Sequence, residues 1–201
     1  MKKQILLKAR EMFLNLGFKS VTMDDLAQEI AISKKTIYSH FKNKEALVKE
    51  VSMDMFTLIS EGIDMICAFK KDPIEELYEI KKFVLQHLEG EKSSPQYQLQ
   101  KYYPKVYHIL KQKQFELMQN CMVLNIKRGI SLGIYREYLN VEFVSRIYFT
   151  GITSIKDQTL FPLKQFPPQA LMDEYLEYHL RGIVTPKGQK KLNTIIYSNQ
   201  K

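Results

Sequence analysis

Cysteine is nearly absent from this chain: Cys67 and Cys121 are the only two among 201 residues. Their spacing fits no metal or redox motif, which points to a reducing compartment and to two small apolar residues in a core. The four histidines, His40, His87, His108 and His179, are scattered, and none stands in an H-E-x-x-H arrangement. There is no glycine-rich phosphate loop and no G-x-S-x-G elbow. The chain therefore lacks the patterns of the common metal, nucleotide and hydrolase sites, and no metal, cofactor or catalytic residue is expected. No uncharged apolar run is long enough to span a bilayer. Lys8, Arg10 and Glu11 interrupt the opening stretch MKKQILLKAREMFL, where a secretory signal would carry its apolar region. The expectation is a cytoplasmic protein with no membrane partner. Internal repeats and low-complexity segments are missing as well.

Positive charge and apolar residues are plentiful. The formal net charge is +8, which favours a polyanionic partner, although a membrane surface or plain solubility would account for charge alone. Apolar residues make up 45% of the chain, enough for a real core in one good-sized domain or two small ones.

The stretch Phe18 to Leu47, FKSVTMDDLAQEIAISKKTIYSHFKNKEAL, carries the densest information. Thr22 and Asp25 form a capping-box-like helix start. Leu26 and Ile30 give that short helix an apolar face. Ser33 caps a second helix a few residues later, with Ile37 and Phe41 on one face. Lys34, Lys35, Thr36, Tyr38 and His40 are left on the other. Two short helices joined so tightly must cross steeply, as in a helix-turn-helix. Ala27 allows their close approach, and Ile32 plugs the gap beneath. The free face, basic and hydroxylated, suits phosphates and major-groove base edges.

This segment resembles the DNA-binding domain of the TetR family of bacterial repressors. Gly17, Thr22, Leu26, Ala27, Ile32, Ser33, Thr36, Ile37, Tyr38, Phe41, Lys44, Glu45 and Leu47 carry the resemblance, in order and without gaps. Ala31, in the turn, and Lys35 stand where relatives often have glycine. Ala31 is strained if its φ is positive, and Lys35 prevents the operator from being borrowed from a relative. The resemblance implies an all-α fold of about nine helices. Residues 1–46 would form a three-helix helix-turn-helix domain and residues 47–201 a helical regulatory and dimerisation domain. Thr22, Ser33, Lys34, Lys35, Thr36, Tyr38, His40 and Lys44 are the expected DNA contacts. Tyr38 and Lys44 belong on phosphates, and Lys34, Lys35 or Thr36 nearer base edges.

The helical pattern runs the length of the chain. Ile5, Ala9, Met12, Phe13 and Leu16 make one stripe over residues 3–16, closed by Gly17. A fourth helix begins after Asn43 and runs to about Phe69. Its N-terminus, with Lys44, is a natural phosphate site. Asp72-Pro73-Ile74-Glu75 opens a fifth, with Leu77, Ile80, Val84 and Leu88 on its buried face. Gly90 to Ser94 reads as a loop and Ser94-Pro95 as the start of a short sixth helix. A seventh begins at Pro104 and ends near Gly133. Asn140 caps an eighth that is apolar on more than one side and so must bury both. A ninth spans Gln169 to about Val184, and the tail after Thr185-Pro186 frays or adds a short helix.

The string KRGISLGIYREYLNVEFVSRIYFTGI also resembles the family, loosely. Its relatives hold a small-molecule pocket in the second domain and dimerise through their last long helices. That implies a small apolar or aromatic effector near Cys67, Tyr102, Tyr103, Phe115, Met118, Met122, Asn125 and Tyr148. It also implies a homodimer through Val144, Ile147, Tyr148, Ile152, Leu171, Tyr175 and Tyr178. For each pocket candidate ordinary core packing is the competing account. The functional expectation is a repressor released from palindromic double-stranded DNA by such an effector. The alternative is a DNA-binding regulator controlled by a protein partner. The three histidines outside the recognition helix are expected at the surface or an interface.

Overall fold

The structure is a computed structural model that describes residues 1–88 and 95–198. The described residues form ten helices: α1 (Lys2–Leu16), α2 (Met23–Glu29), α3 (Lys34–His40), α4 (Lys44–Ala68), α5 (Pro73–Leu88), α6 (Pro95–Tyr102), α7 (Pro104–Ser131), α8 (Val141–Ser154), α9 (Pro168–Arg181) and α10 (Pro186–Ser198). The expected Gly90–Ser94 loop and the Ser94 helix start lie outside the described residues, as does the side chain of Leu88. The count exceeds nine because the tail forms a full helix. Pro186 sits at its first position, and the Thr185 hydroxyl accepts from the Gly188 amide at 3.1 Å.

Packing divides the chain into two compact units: Met1–Ser60 with His87–Gln114, and Glu61–Gln86 with Phe115–Lys201. The division expected after residue 46 falls within the first of these. Both α4 and α7 contribute residues to each unit.

The first unit is built on α1, whose Ile5, Ala9, Met12 and Phe13 are buried. Leu16, the last residue of the expected stripe, is 59% exposed instead. Gly17, at φ +87°, folds the chain back so that Phe18 takes the core position, its ring 5.0 Å from that of Phe13. A Cβ at Gly17 would lie 2.3 Å from the Gln98 amide nitrogen, and Gln98 Oε1 accepts from the Lys19 amide at 3.0 Å. Glycine is therefore required twice there, for the backbone conformation and for the close approach of α6. Leu99, Val106 and Tyr107 bring α6 and the start of α7 into the same core as Leu26, Ala27, Ile37, Phe41, Leu47 and Val51.

The second unit has its own core, including Ile74, Met122, Ile126, Tyr135, Ile152, Leu176 and Leu180. A polar network lies inside it. Asn125, fully buried, donates to the Pro73 carbonyl at 2.9 Å and to Glu76 Oε1 at 2.8 Å, and accepts from the Tyr135 hydroxyl at 3.1 Å. Glu76, also buried, pairs with Arg128 at 2.6 Å. A buried carboxylate keeps its charge only with partners of this kind. Between α7 and α10 the chain closes with one antiparallel bridge, Tyr135 to Val184. Flanking it, the Arg136 amide donates to the Ile183 carbonyl and the Thr185 amide to the Ile134 carbonyl, both at 2.9 Å.

Candidate nucleic-acid interface

The helix-turn-helix is assembled from local hydrogen bonds that the sequence prescribes. The Thr22 hydroxyl accepts from the Asp25 amide at 3.1 Å, and the Asp25 carboxylate accepts from the Thr22 amide at 2.8 Å, completing a capping box. Hydrogen bonding to the Thr22 amide, and after it to the Thr22 hydroxyl, holds the Asp25 carboxyl below its usual pKa, so the cap stays ionised. At the other end of α2, the Ala31 amide donates to Gln28 at 3.1 Å and the Ile32 amide to Ala27 at 3.0 Å. Those two bonds define a Schellman motif, with Ala31 at φ +53° in the place glycine normally takes. The chain then turns straight into α3, whose Ser33 hydroxyl accepts from the Thr36 amide at 3.0 Å.

Ile37 is completely buried and anchors α3, and Phe41 just beyond it is 2% exposed. That fixes the outward face. Lys34, Lys35 and His40 are exposed, Tyr38 is 44% exposed, and Thr36 is half-buried with its hydroxyl 2.8 Å from that of Ser33. Lys34 reaches back to Asp24 at 2.7 Å across an exposed surface, a solvent-screened pair that a phosphate or base edge can displace. His40 sets its ring edge-on to Phe41, with centroids 6.5 Å apart.

Lys44 opens α4 beside this face. Its ammonium donates to the Lys19 carbonyl at 3.1 Å, and its partial burial pushes its pKa down, with Asp25 opposing. Asn43 caps the same helix by accepting from the Ala46 amide at 2.8 Å. The eight expected DNA-contacting residues therefore sit on one continuous segment, with Lys44 tied to the loop that precedes α2.

The residues expected around an effector divide between the units. Tyr102 and Tyr103 belong to the first, where Tyr103 packs edge-on against Phe18 with ring centroids 6.4 Å apart. Cys67, Phe115, Met118, Met122, Asn125 and Tyr148 belong to the second. Asn125 has both amide hydrogens and its oxygen committed to protein partners. Met122 and Tyr148 are 1% and 8% exposed. Phe115 meets Phe149 edge-on, with centroids 5.2 Å apart.

The expected dimerisation residues show both buried and open positions. Tyr148, Ile152 and Leu171 are buried within the second unit, Val144 and Tyr175 are half-buried, and Ile147 and Tyr178 are 46% and 78% exposed. The Tyr175 hydroxyl lies against Gly151 and donates to the carbonyls of Ile147 and Tyr148, both at 3.1 Å. Phe143, on the same α8, is 60% exposed, so the helix does not bury both of its apolar sides within one chain. His179 is buried rather than superficial, its ring 4.9 Å from Tyr148, and burial lowers its pKa to about 4, leaving a neutral imidazole.

Sequence reasoning missed two arrangements. One is the Asn125–Glu76–Arg128–Tyr135 network. The other is the meeting of Cys67 with Cys121. Both join residues distant in sequence, and the only local sign was polar or sulfur-bearing side chains at positions helical phase would bury.

Among the described residues no helix is long and apolar enough to cross a membrane, and no group of three or more His, Cys, Asp or Glu side chains is placed to hold a metal ion. The family model for bacterial regulatory proteins of the tetR family matches residues 5–51, which cover α1 to α3 and the start of α4. Over 200 residues the chain is 25% identical to the HTH-type transcriptional repressor KstR2 of Mycolicibacterium smegmatis, covering 93% of this chain and 92% of that one. A TetR-family transcriptional regulator from Agrobacterium tumefaciens superposes with a TM-score of 0.73 at 17% identity, over 92% of this chain and 97% of that one. Thermus thermophilus FadR, a TetR-family repressor solved with lauroyl-CoA, superposes with a TM-score of 0.61 at 18% identity, over 92% and 96% of the two chains. Residues 5–51, with their capped helix pair and basic outward face, match the DNA-binding segment of the tetR family, and the likenesses over the whole chain support a DNA-binding transcriptional regulator of that kind.

Proposed function

We propose that the protein is a homodimeric repressor that binds a palindromic operator through α3 and is released by a small apolar or aromatic effector held in the second unit. The observation that carries the DNA reading is the α3 face itself. Buried Ile37 and Phe41 fix its orientation, so Lys34, Lys35, Thr36, Tyr38 and His40 are presented together. Lys35 and Thr36 lie in the first turn of α3, the part of a recognition helix that meets base edges. Tyr38 and Lys44 serve phosphates, and Thr22 and Ser33 hold the two helix starts. A two-fold dimer presents two such helices to successive major grooves, roughly 34–36 Å apart.

The experiment is a set of binding isotherms on an operator and its single-position variants. Lys35→Ala or Thr36→Ala is expected to cost about 1–3 kcal/mol and to relax discrimination at one position. Lys44→Ala is expected to weaken every sequence alike and to lower the salt slope by about one. Equal losses on all sequences for both Lys35→Ala and Thr36→Ala remove the base-reading role.

The effector reading draws on half-buried Phe115 and Met118 in the second unit and on the acyl ligand carried by the Thermus relative. Helix α4 runs without a break from Lys44 to Ala68, which gives the effector unit a continuous path to the phosphate-facing helix start. Control by a protein partner is the second reading. The tight burial of Met122, Asn125 and Tyr148 favours it, since a guest must remodel them to enter.

A further inference from the structure

We propose that Cys67 and Cys121 form a reactive dithiol site that hydroperoxides oxidise to an intrachain disulfide, independently of any effector. The two thiols sit on α4 and α7, 54 residues apart in sequence, with their sulfur atoms 3.6 Å apart. Both are half-buried, so each is held in place yet reachable. They open onto a cavity of about 370 Å³ whose wall also carries Lys70, Glu76, Leu124 and Arg128. The negative charge of Glu76 is already taken up by Arg128 at 2.6 Å and Asn125 at 2.8 Å. The cavity is large enough for hydrogen peroxide or a small organic hydroperoxide, and the charges around Cys67 are mixed, with Glu76 and Asp64 opposing an anionic sulfur and Arg128 favouring it.

The pair is not symmetric. The hydrogen bond from Cys121 draws the Cys67 thiol below its ordinary pKa, and the same bond together with burial pushes Cys121 up. With Cys121 as the donor of the S–H···S bond, Cys67 is the attacking sulfur and Cys121 the resolving one. In the first step the Cys67 thiolate attacks the terminal oxygen of the hydroperoxide. An S–O bond forms, the O–O bond breaks, and the leaving alkoxide or hydroxide takes a proton to depart as an alcohol or water. Cys67 is then a sulfenic acid. In the second step Cys121 gives up its proton and attacks the Cys67 sulfur, and the S–O bond breaks to release water. Two thiols have lost two electrons to one peroxide. A disulfide needs the sulfurs about 2.05 Å apart, so they must close by roughly 1.5 Å. An external dithiol reverses the reaction by exchange.

The test treats the full chain with a small molar excess of hydrogen peroxide. Thiols are then counted after denaturation, intact mass is measured, and a non-reducing digest is mapped. Both thiols should disappear, the mass should fall by two hydrogens, and the Cys67 and Cys121 peptides should be linked within one chain. Dithiothreitol should restore both. In Cys121→Ser, dimedone should trap a sulfenic acid at Cys67. Circular dichroism of each variant confirms that it is folded, and the wild-type thiol count stands without them. Retention of both thiols at a peroxide level that oxidises free glutathione overturns the proposal, as does a disulfide formed only between chains. Trapping of Cys121 in Cys67→Ser at the wild-type rate overturns the assignment of Cys67 as the attacking sulfur.

Discussion

Ala31 shows how much one residue's backbone can cost. It occupies the left-handed C′ position of α2, at φ +53°, where a Cβ crowds the following carbonyl. The two Schellman bonds, from its own amide to Gln28 and from the Ile32 amide to Ala27, hold it there. Ala31→Gly relieves the crowding and loses a little unfolded-state restriction in exchange. The expected result is a gain of about 1 kcal/mol in unfolding free energy, seen as a higher urea midpoint at unchanged slope. An unchanged midpoint would mean that the turn carries no strain. The strain was suspected from the sequence because alanine stands where relatives often carry glycine. Only the dihedral angle showed that it exists.

At the scale of the element, α8 and α9 divide their apolar residues between the chain's own core and its surface. Tyr148, Ile152 and Leu171 already have neighbours, whereas Phe143, Ile147 and Tyr178 do not bury their rings or branches within one chain. If these helices form the dimer seam, substitutions on the open positions act on association and those on the buried positions act on folding. Ile147→Asp or Tyr178→Asp is expected to give a monomer by sedimentation at micromolar concentration, with helical circular dichroism intact. Tyr148→Asp is expected to unfold the second unit, since it buries a charge without a partner. A stable dimer in both surface variants would move the seam elsewhere. The apolar periodicity of α8 was plain in the sequence. Which of its two sides the chain itself covers was not, because that depends on where Tyr175 and Leu176 of α9 arrive.

For the whole molecule, the effector reading makes a thermodynamic demand. If a ligand lowers operator affinity, the operator must lower ligand affinity by the same factor. A coupling of about 1–3 kcal/mol corresponds to roughly 5- to 150-fold. A thermal-shift screen of hydrophobic compounds, with each hit titrated in the presence and absence of operator, measures that factor from both sides. Equal affinities in the two conditions for every binder would leave control by a protein partner as the standing account.

The sequence by itself determined the helices, their caps and the outward face of α3. Those features rest on interactions within a few residues of one another: Thr22 with Asp25, Ser33 with Thr36, Asn43 with Ala46, Asn140 with Phe143. Their spacing is fixed by the covalent chain, so they can be read without knowing where anything else lies. The tertiary structure alone decided the rest. Gln98 closes over Gly17, Asn125 reaches Glu76 and Tyr135, His179 is buried against Tyr148, and Cys67 meets Cys121. Each of these joins residues brought close only when separate helices pack, and helical periodicity gives the face a residue occupies without naming the residue that it meets.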